Sequence, residues 1–230
     1  EPEIYSFRVL KMLEAALLQL SAKSQPVGIH IKIDTGMHRL GFLPEQTDQL
    51  LQTLRAQPEV CVKSVYSHMA CADEPQHPMN AQQISSFNAI CSQFESALPY
   101  PFLKLLLNSE GAAHFPQAQF DMVRLGIGLF GVNHDPQFEQ KLKPVISWTS
   151  RISQLKQLKK GACVGYGCSE ILEADSQIAV IPVGYADGFK RNLSNGRGGV
   201  YIDGNFCPTI GRVCMDMIMV LAPKARPDAE

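Results

Sequence analysis

Hydrophobic and polar positions change their spacing several times along the chain. Residues 5–20 place Phe7, Leu10, Leu13, Leu17 and Leu20 near one side of a 3.6-residue period, which predicts an amphipathic helix. Ile29, Ile31 and Ile33 then alternate with polar residues, the period of a strand. The alternation stops at Asp34-Thr-Gly36, a turn signal. Pro44 opens a second helix, running to about Arg55 on Leu50, Leu51 and Leu54. Residues 61–68 alternate again, and residues 80–98 return to helical spacing on Ile84, Phe87, Ile90, Cys91 and Phe94. Residues 103–107 form a continuous apolar run suited to a strand buried on both faces, and residues 121–130 give a further run of that kind. Strands alternating with helices predict βα units on a parallel sheet, open or closed as a barrel.

Beyond Gly131 the style changes. Residues 133–144 are polar with two prolines and read as a connector. Short β-rich runs follow at 145–155, 178–185, 199–202 and 217–221, punctuated by Gly and Asn, which predicts a mostly antiparallel β domain. The expected division is therefore 1–133, a connector 134–144, and 145–230.

The polar residues of the first part fall at the carboxyl ends of its strands: Lys32 and Asp34, then His68, then Asn108 and Ser109, then Arg124 with Gly126. Asp34 is expected on the same strand face as Lys32, with Arg39 folding back toward them. Taken singly, each residue reads as ordinary structure, and the charged strand end as a solvated surface. Four strands in a row ending this way match the rim on which barrel active sites are built.

Composition narrows the picture. With 230 residues, 45% hydrophobic, 19% charged and a formal net charge of −1, the chain has the make-up of a soluble globular protein of one or two domains. No broad attraction to nucleic acid or to an anionic membrane is expected, no apolar run approaches a membrane span, and no signal-peptide pattern is present. Seven scattered cysteines without a C-x-x-C pair suggest a reducing cytoplasm and no disulfide scaffold. His68, Cys71 and Asp73 lack an evident fourth ligand, so no metal is expected.

The string Lys32-Ile-Asp-Thr-Gly-Met-His-Arg39-Leu-Gly-Phe closely resembles a signature of the alanine racemases, pyridoxal-phosphate enzymes of bacterial cell-wall metabolism. Six further segments resemble that family in the same order: Ser67-His-Met-Ala-Cys-Ala-Asp-Glu74, Asn108-Ser-Glu-Gly111, Val123-Arg-Leu-Gly-Ile-Gly-Leu-Phe-Gly131, Val164-Gly-Tyr-Gly-Cys168, Ile181-Pro-Val-Gly-Tyr-Ala-Asp-Gly188, and Ile210-Gly-Arg-Val-Cys-Met-Asp216. The resemblance implies about the second half of a (β/α)8 TIM-type barrel followed by the β domain. It implies interconversion of L-alanine and D-alanine through a pyridoxal 5'-phosphate aldimine by two bases, supplying D-alanine for peptidoglycan. Tyr166 would be one base, with His68 and Arg124 as a relay, and Arg124 would face the pyridine nitrogen. Arg39, Asn108, Ser109, Gly126 and Ile127 would bind the cofactor. Arg39, Tyr185, Met215 and Asp216 would meet the substrate. Lys32 matches a carbamylated lysine, whose anionic form would hold Arg39. A homodimer is implied, because Tyr166 and Met215 would serve the partner's site.

The family's pyridoxal-anchoring lysine motif does not occur in this sequence. The resemblance covers roughly the middle two thirds of a full racemase and leaves the β domain incomplete at its C-terminal end. This stretch alone is therefore expected to be inactive, since that lysine is also the second base. Residues 119–126 also resemble racemases fused to a cell-wall ligase. Two alternatives stand beside alanine: a racemase of serine or another small amino acid, and a non-catalytic pyridoxal-phosphate-binding remnant.

Overall fold

The structure, a computed structural model, describes residues 1–19 and 25–226. The chain divides into two compact units, Glu1–Ile146 and Ser147–Glu230.

The first unit begins with strand β1 (Glu3–Ile4) and helix α1 (Phe7–Leu18), whose first turn is capped by the Ser6 hydroxyl accepting from the Val9 N–H at 3.3 Å. Leu20 of the predicted helix lies outside the described residues. Then follow β2 (Val27–Lys32), α2 (Thr47–Arg55), β3 (Val60–Tyr66), α3 (Pro78–Ala97), β4 (Leu103–Leu105), α4 (Ser109–His114) and the short α5 (Pro136–Glu139). The four strands are parallel and lie in the order β1-β2-β3-β4. Spatial order that follows chain order without reversal is that of a barrel and not of a doubly wound sheet. The unit is thus a partial (β/α) barrel. Ile29, Ile31, Val62 and Val65 from the sheet and Leu106 just past β4 share one core with Leu50, Leu54, Phe87 and Phe94 from the helices. Ile29, Ile31, Leu50, Leu54, Phe87 and Phe94 are positions that the two periodicities select, and Leu106 comes from the apolar run 103–107.

Two expectations fail here. Residues 121–130 do not form a regular strand: Met122 makes a single parallel bridge to Leu105, and the chain then turns into a 3-10 helix at Ile127–Phe130. The N–H groups of Gly126 and Gly128 bond the Ser109 hydroxyl, brought up from 17 and 19 positions away, instead of a neighbouring strand. β4 is also shorter than the apolar run 103–107, and it starts at an exposed Leu103. Neither β1 nor α4 was predicted; two and six residues are too short for either period to register.

The second unit contains β5 (Gln154–Leu158), β6 (Cys163–Val164), β7 (Glu170–Ile171), β8 (Ser176–Ile181), β9 (Gly199–Ile202), β10 (Asn205–Pro208) and β11 (Ile218–Leu221). All pairings are antiparallel: β11-β8-β5, β9 with β10, and β6 with β7. Ala179, Ile181, Phe189, Ile202, Val213, Ile218 and Val220 form the core. Residues 145–153, read as part of a β run, are outside any strand. The expectation of no disulfide is corrected in one place: Cys163 and Cys168 are bonded, because the tight turn between β6 and β7 brings their Cα atoms to 5.1 Å.

Candidate active site at the strand ends

β2 releases the chain at Lys32 and takes it back at Phe42. The Asp34 N–H donates to the Phe42 carbonyl at 2.8 Å and the Phe42 N–H to the Lys32 carbonyl at 2.9 Å, closing the signature loop. Gly41 has φ +134°, and a Cβ there would lie 2.6 Å from the Asp34 nitrogen, so only glycine fits the closure. Asp34 lies past the last residue of β2. Having left the strand, its buried carboxylate turns into the loop and accepts from the N–H groups of Gly36 at 3.0 Å and His38 at 2.9 Å.

Lys32 instead reaches Glu3 on β1, with Nζ 3.5 Å from Oε1, and its ammonium lies 5.1 Å from the centroid of the Tyr66 ring. The Arg124 guanidinium lies 5.1 Å from the same centroid. Arg124 is placed by its N–H bond to the Leu107 carbonyl, 3.0 Å, at the end of β4. Its Nη2 donates to the carbonyls of Ser67 and of Leu106, the latter at 3.2 Å, and lies 3.3 Å from His68 Nδ1. Its Nη1 is buried and has no hydrogen-bond partner.

Burial, followed by the charges of Arg124, Arg39 and Lys32, lowers the pKa of His68 to about 4. The imidazole is therefore neutral near pH 7. Facing a guanidinium donor, Nδ1 must be the acceptor, which puts the proton on Nε2. Burial also draws Arg124 below its ordinary value, opposed by Glu3. Arg39 itself is exposed. Lys32, Arg39 and Arg124 thus gather positive charge around His68, which suits an anionic ligand.

Beside them lies a cradle. Ser109 is buried at the start of α4, and its Oγ accepts from the N–H groups of Gly126 at 2.9 Å and Gly128 at 3.2 Å. Ile127, between them, begins the 3-10 turn, so its N–H has no acceptor within that turn. A Cβ added to Gly126 would meet nothing within 4 Å, which leaves open space at the cradle. Asn108 is committed differently: its Oδ1 caps α4 by accepting from the Gly111 N–H at 2.9 Å.

In the second unit Tyr166 stands on the turn after β6, 70% exposed, with Gly165, Cys214, Met215, Asp216 and Met217 lining the same shallow cleft. The N–H groups of Tyr185 and Ala186 donate to the carbonyls of Cys214 and Met215 at 3.1 and 3.0 Å, which brings these two segments together. The Arg191 guanidinium lies 5.6 Å from the Tyr185 ring centroid. The Arg212 guanidinium borders the turn at Gly167. A separate apolar hollow, lined in part by Trp148, Ile181, Phe189 and Tyr201, holds none of the candidate site residues.

Sequence reasoning missed Glu3, Tyr66, Gln83 and Arg212. Gln83 is fully buried on α3; its Nε2 donates to the His68 carbonyl at 2.9 Å and to the Thr35 hydroxyl at 3.1 Å, and its Oε1 accepts from the Ala70 N–H at 2.8 Å. An amide on the apolar side of a helix was the available signal. Among the described residues no group of three or more His, Cys, Asp or Glu is placed to hold a metal ion.

The family model described as "Alanine racemase, N-terminal domain" matches residues 1–134, and that described as "Alanine racemase, C-terminal domain" matches residues 145–230. The alanine racemase of Shewanella woodyi is 39% identical over 215 residues, covering 92% of this chain and 57% of that protein. The chain thus spans little more than half the length of such relatives. The crystal structure of alanine racemase from Streptomyces lavendulae superposes with a TM-score of 0.88 at 30% identity, over 99% of this chain and 60% of that one. The alanine racemase of Bartonella henselae, described with covalently bound pyridoxal phosphate, gives 0.82 at 29% identity over 99% of this chain and 62% of that one.

Proposed function

The chain belongs to the alanine racemase family, and from that premise we propose that the protein carrying it interconverts L-alanine and D-alanine with pyridoxal 5'-phosphate as cofactor. The observation that carries this reading is the buried, unpartnered Nη1 of Arg124 beside the Ser109 cradle. A buried donor without an acceptor is costly, and a ring nitrogen of the cofactor would satisfy it. The residues present therefore fit the group.

When bound, pyridoxal phosphate supplies an electron sink that acidifies the substrate's α-carbon. The chain's own residues do the rest. Ser109, through its hydroxyl hydrogen, and the N–H of Ile127 would hold the phosphate, with the N–H groups of Gly126 and Gly128 fixing the Ser109 oxygen and Asn108 keeping the cradle in shape through its cap on α4. Arg124 would donate to the pyridine nitrogen and, as a guanidinium that stays protonated, would leave that nitrogen without a proton. Neutral His68 accepts from Arg124 and fixes the guanidinium's orientation. Arg39 offers its exposed guanidinium to the substrate carboxylate or the cofactor's phenolic oxygen. Tyr166 Oη exchanges the proton on one face of the substrate's α-carbon, and a second base on the opposite face, the role of the family's lysine, completes the inversion. Met215, through its N–H, and Asp216 bound the substrate carboxylate, and Tyr185 lines its entrance. Lys32 is the modification candidate: as a carbamate it would pair with Arg39, and as an ammonium it has Glu3.

The same reading takes 1–133 as the cofactor-binding part, 134–144 as connector and 145–230 as the β part. It makes the protein a cytoplasmic homodimer, with Tyr166 and Met215 serving the partner's site, and its product D-alanine a precursor of peptidoglycan. Chiral chromatography tests it on the protein carrying this chain, loaded with pyridoxal phosphate and given L-alanine or L-serine. D-alanine at the higher kcat/KM is expected. A preference for serine would make it a serine racemase, and cofactor binding without turnover of either would leave a binding protein.

A further inference from the structure

The two cysteines that bracket Tyr166 have no role in that reading. Cys163 opens β6 and Cys168 closes the 3-10 turn Tyr166–Cys168; their sulfurs are bonded. Both are exposed, whereas Cys91 and Cys207 are buried and Cys61, Cys71 and Cys214 are half-buried. By access alone they are the pair open to a reagent in solution.

The segment they close is otherwise weakly held. Gly165 has φ +76° and Gly167 φ +69°, conformations that glycine adopts freely and leaves as freely. Cys168 has φ +43°, where a side chain is uncommon and the surroundings must hold it. The β6–β7 ladder consists of two residue pairs, Cys163 with Ile171 and Val164 with Glu170. Two hydrogen bonds of Leu172, with Gly161 at 2.8 Å and Ala162 at 2.9 Å, continue the pairing away from the turn, which still rests on a short ladder.

We propose that Cys163 and Cys168 are a thiol–disulfide exchange site, modified by low-molecular-weight disulfides, whose closure fixes the turn that presents Tyr166. In the closing reaction one cysteine thiolate attacks the small disulfide and expels its first thiol. The second cysteine attacks the resulting mixed disulfide and expels the other. One protein disulfide and two small thiols result, with both cysteine protons ending on the released thiols. A strongly oxidising compartment is not required, because exchange follows the local ratio of small disulfide to thiol. The exchange chemistry stands by itself; its effect on turnover rests on the proposed role of Tyr166.

The 230-residue chain, equilibrated across mixtures of reduced and oxidised glutathione and then alkylated, is analysed by peptide mapping and by hydrogen exchange. The peptide holding both cysteines is expected to pass from dithiol to Cys163–Cys168 disulfide across the series. The amides of Gly165 to Gly167 are expected to exchange on the order of tenfold faster in the dithiol state. In C163S and C168S that dependence on glutathione ratio should vanish. A pair that stays reduced in every mixture, a bridge to Cys214 instead, or equal exchange rates in both states overturns the proposal. In the cofactor-loaded protein carrying the chain, turnover should depend on the glutathione ratio only while both cysteines are present. Absence of turnover in both redox states would count against Tyr166 as base and leave the exchange results intact. Turnover indifferent to an exchange that does occur would overturn the effect on Tyr166 alone.

Discussion

His68 lies at the meeting point of the site's cations, and its lowered pKa follows from where it sits. In an NMR titration its ring protons should stay unchanged through pH 6.5 and move only near pH 4. R124Q, which removes the largest charge acting on it, should raise that midpoint toward the ordinary value. The sign for stability follows. Because the folded value lies below the unfolded one, the unfolded chain takes up a proton between about pH 6.5 and 4 that the folded chain refuses, so stability falls as pH falls through that window. The urea midpoint should therefore drop between pH 7 and pH 5, and less so in H68N. Gly41 offers a second residue-scale test. G41A puts a methyl 2.6 Å from the Asp34 nitrogen at φ +134°, and should cost about 1–3 kcal/mol in urea unfolding. At this scale the motif residues were legible by type, while their partners were not. Lys32 was expected beside Asp34 and Arg39; its contacts include Glu3 and the Tyr66 ring, and Asp34 is spent on the N–H groups of its own loop.

Among the elements, α3 does more than cover the sheet. Gln83 ties it to the signature loop through Thr35 and to the segment after β3 through His68 and Ala70. Q83L keeps the helix and its packing volume but strands these groups, and should cost about 2–4 kcal/mol, read from denaturant midpoints. The same change should loosen His68, detectable as broadened ring resonances. Long elements were readable because many residues repeat one period: α1, α2 and α3, and β2 with β3, all appear where the pattern put them. Residues 121–130 misled because an apolar run carries no information about whether a neighbouring strand exists to pair with it. Here Ser109 claims the N–H groups that a strand would have used.

For the whole molecule, the first unit leaves a contiguous stretch of apolar residues in water: Leu125, Ile127, Leu129, Phe130 and Val132 are all exposed. An exposed stretch of this kind beside a parallel sheet favours association. Light scattering on the isolated 230-residue chain should therefore report self-association rising with concentration. The same preparation, supplied with pyridoxal phosphate and L-alanine, should form no D-alanine, since no family lysine motif lies within its sequence to act as anchor and second base. Turnover by that preparation would overturn the assignment of the second base.

By itself the sequence determined the alternation of helices and strands, the change from a parallel to an antiparallel style after Gly131, and the residue types gathered at the strand ends. These depend on neighbours a few positions apart, which a period or a motif records directly. Only the tertiary structure decided which groups those residues spend and which they keep free. Arg124 meets Leu106, His68 and Ser67 across 18, 56 and 57 positions, leaving one nitrogen unused, and no local pattern encodes contacts at such separations. The Cys163–Cys168 bridge spans five positions yet was equally hidden, because it depends on left-handed backbone angles in the turn between them and not on spacing.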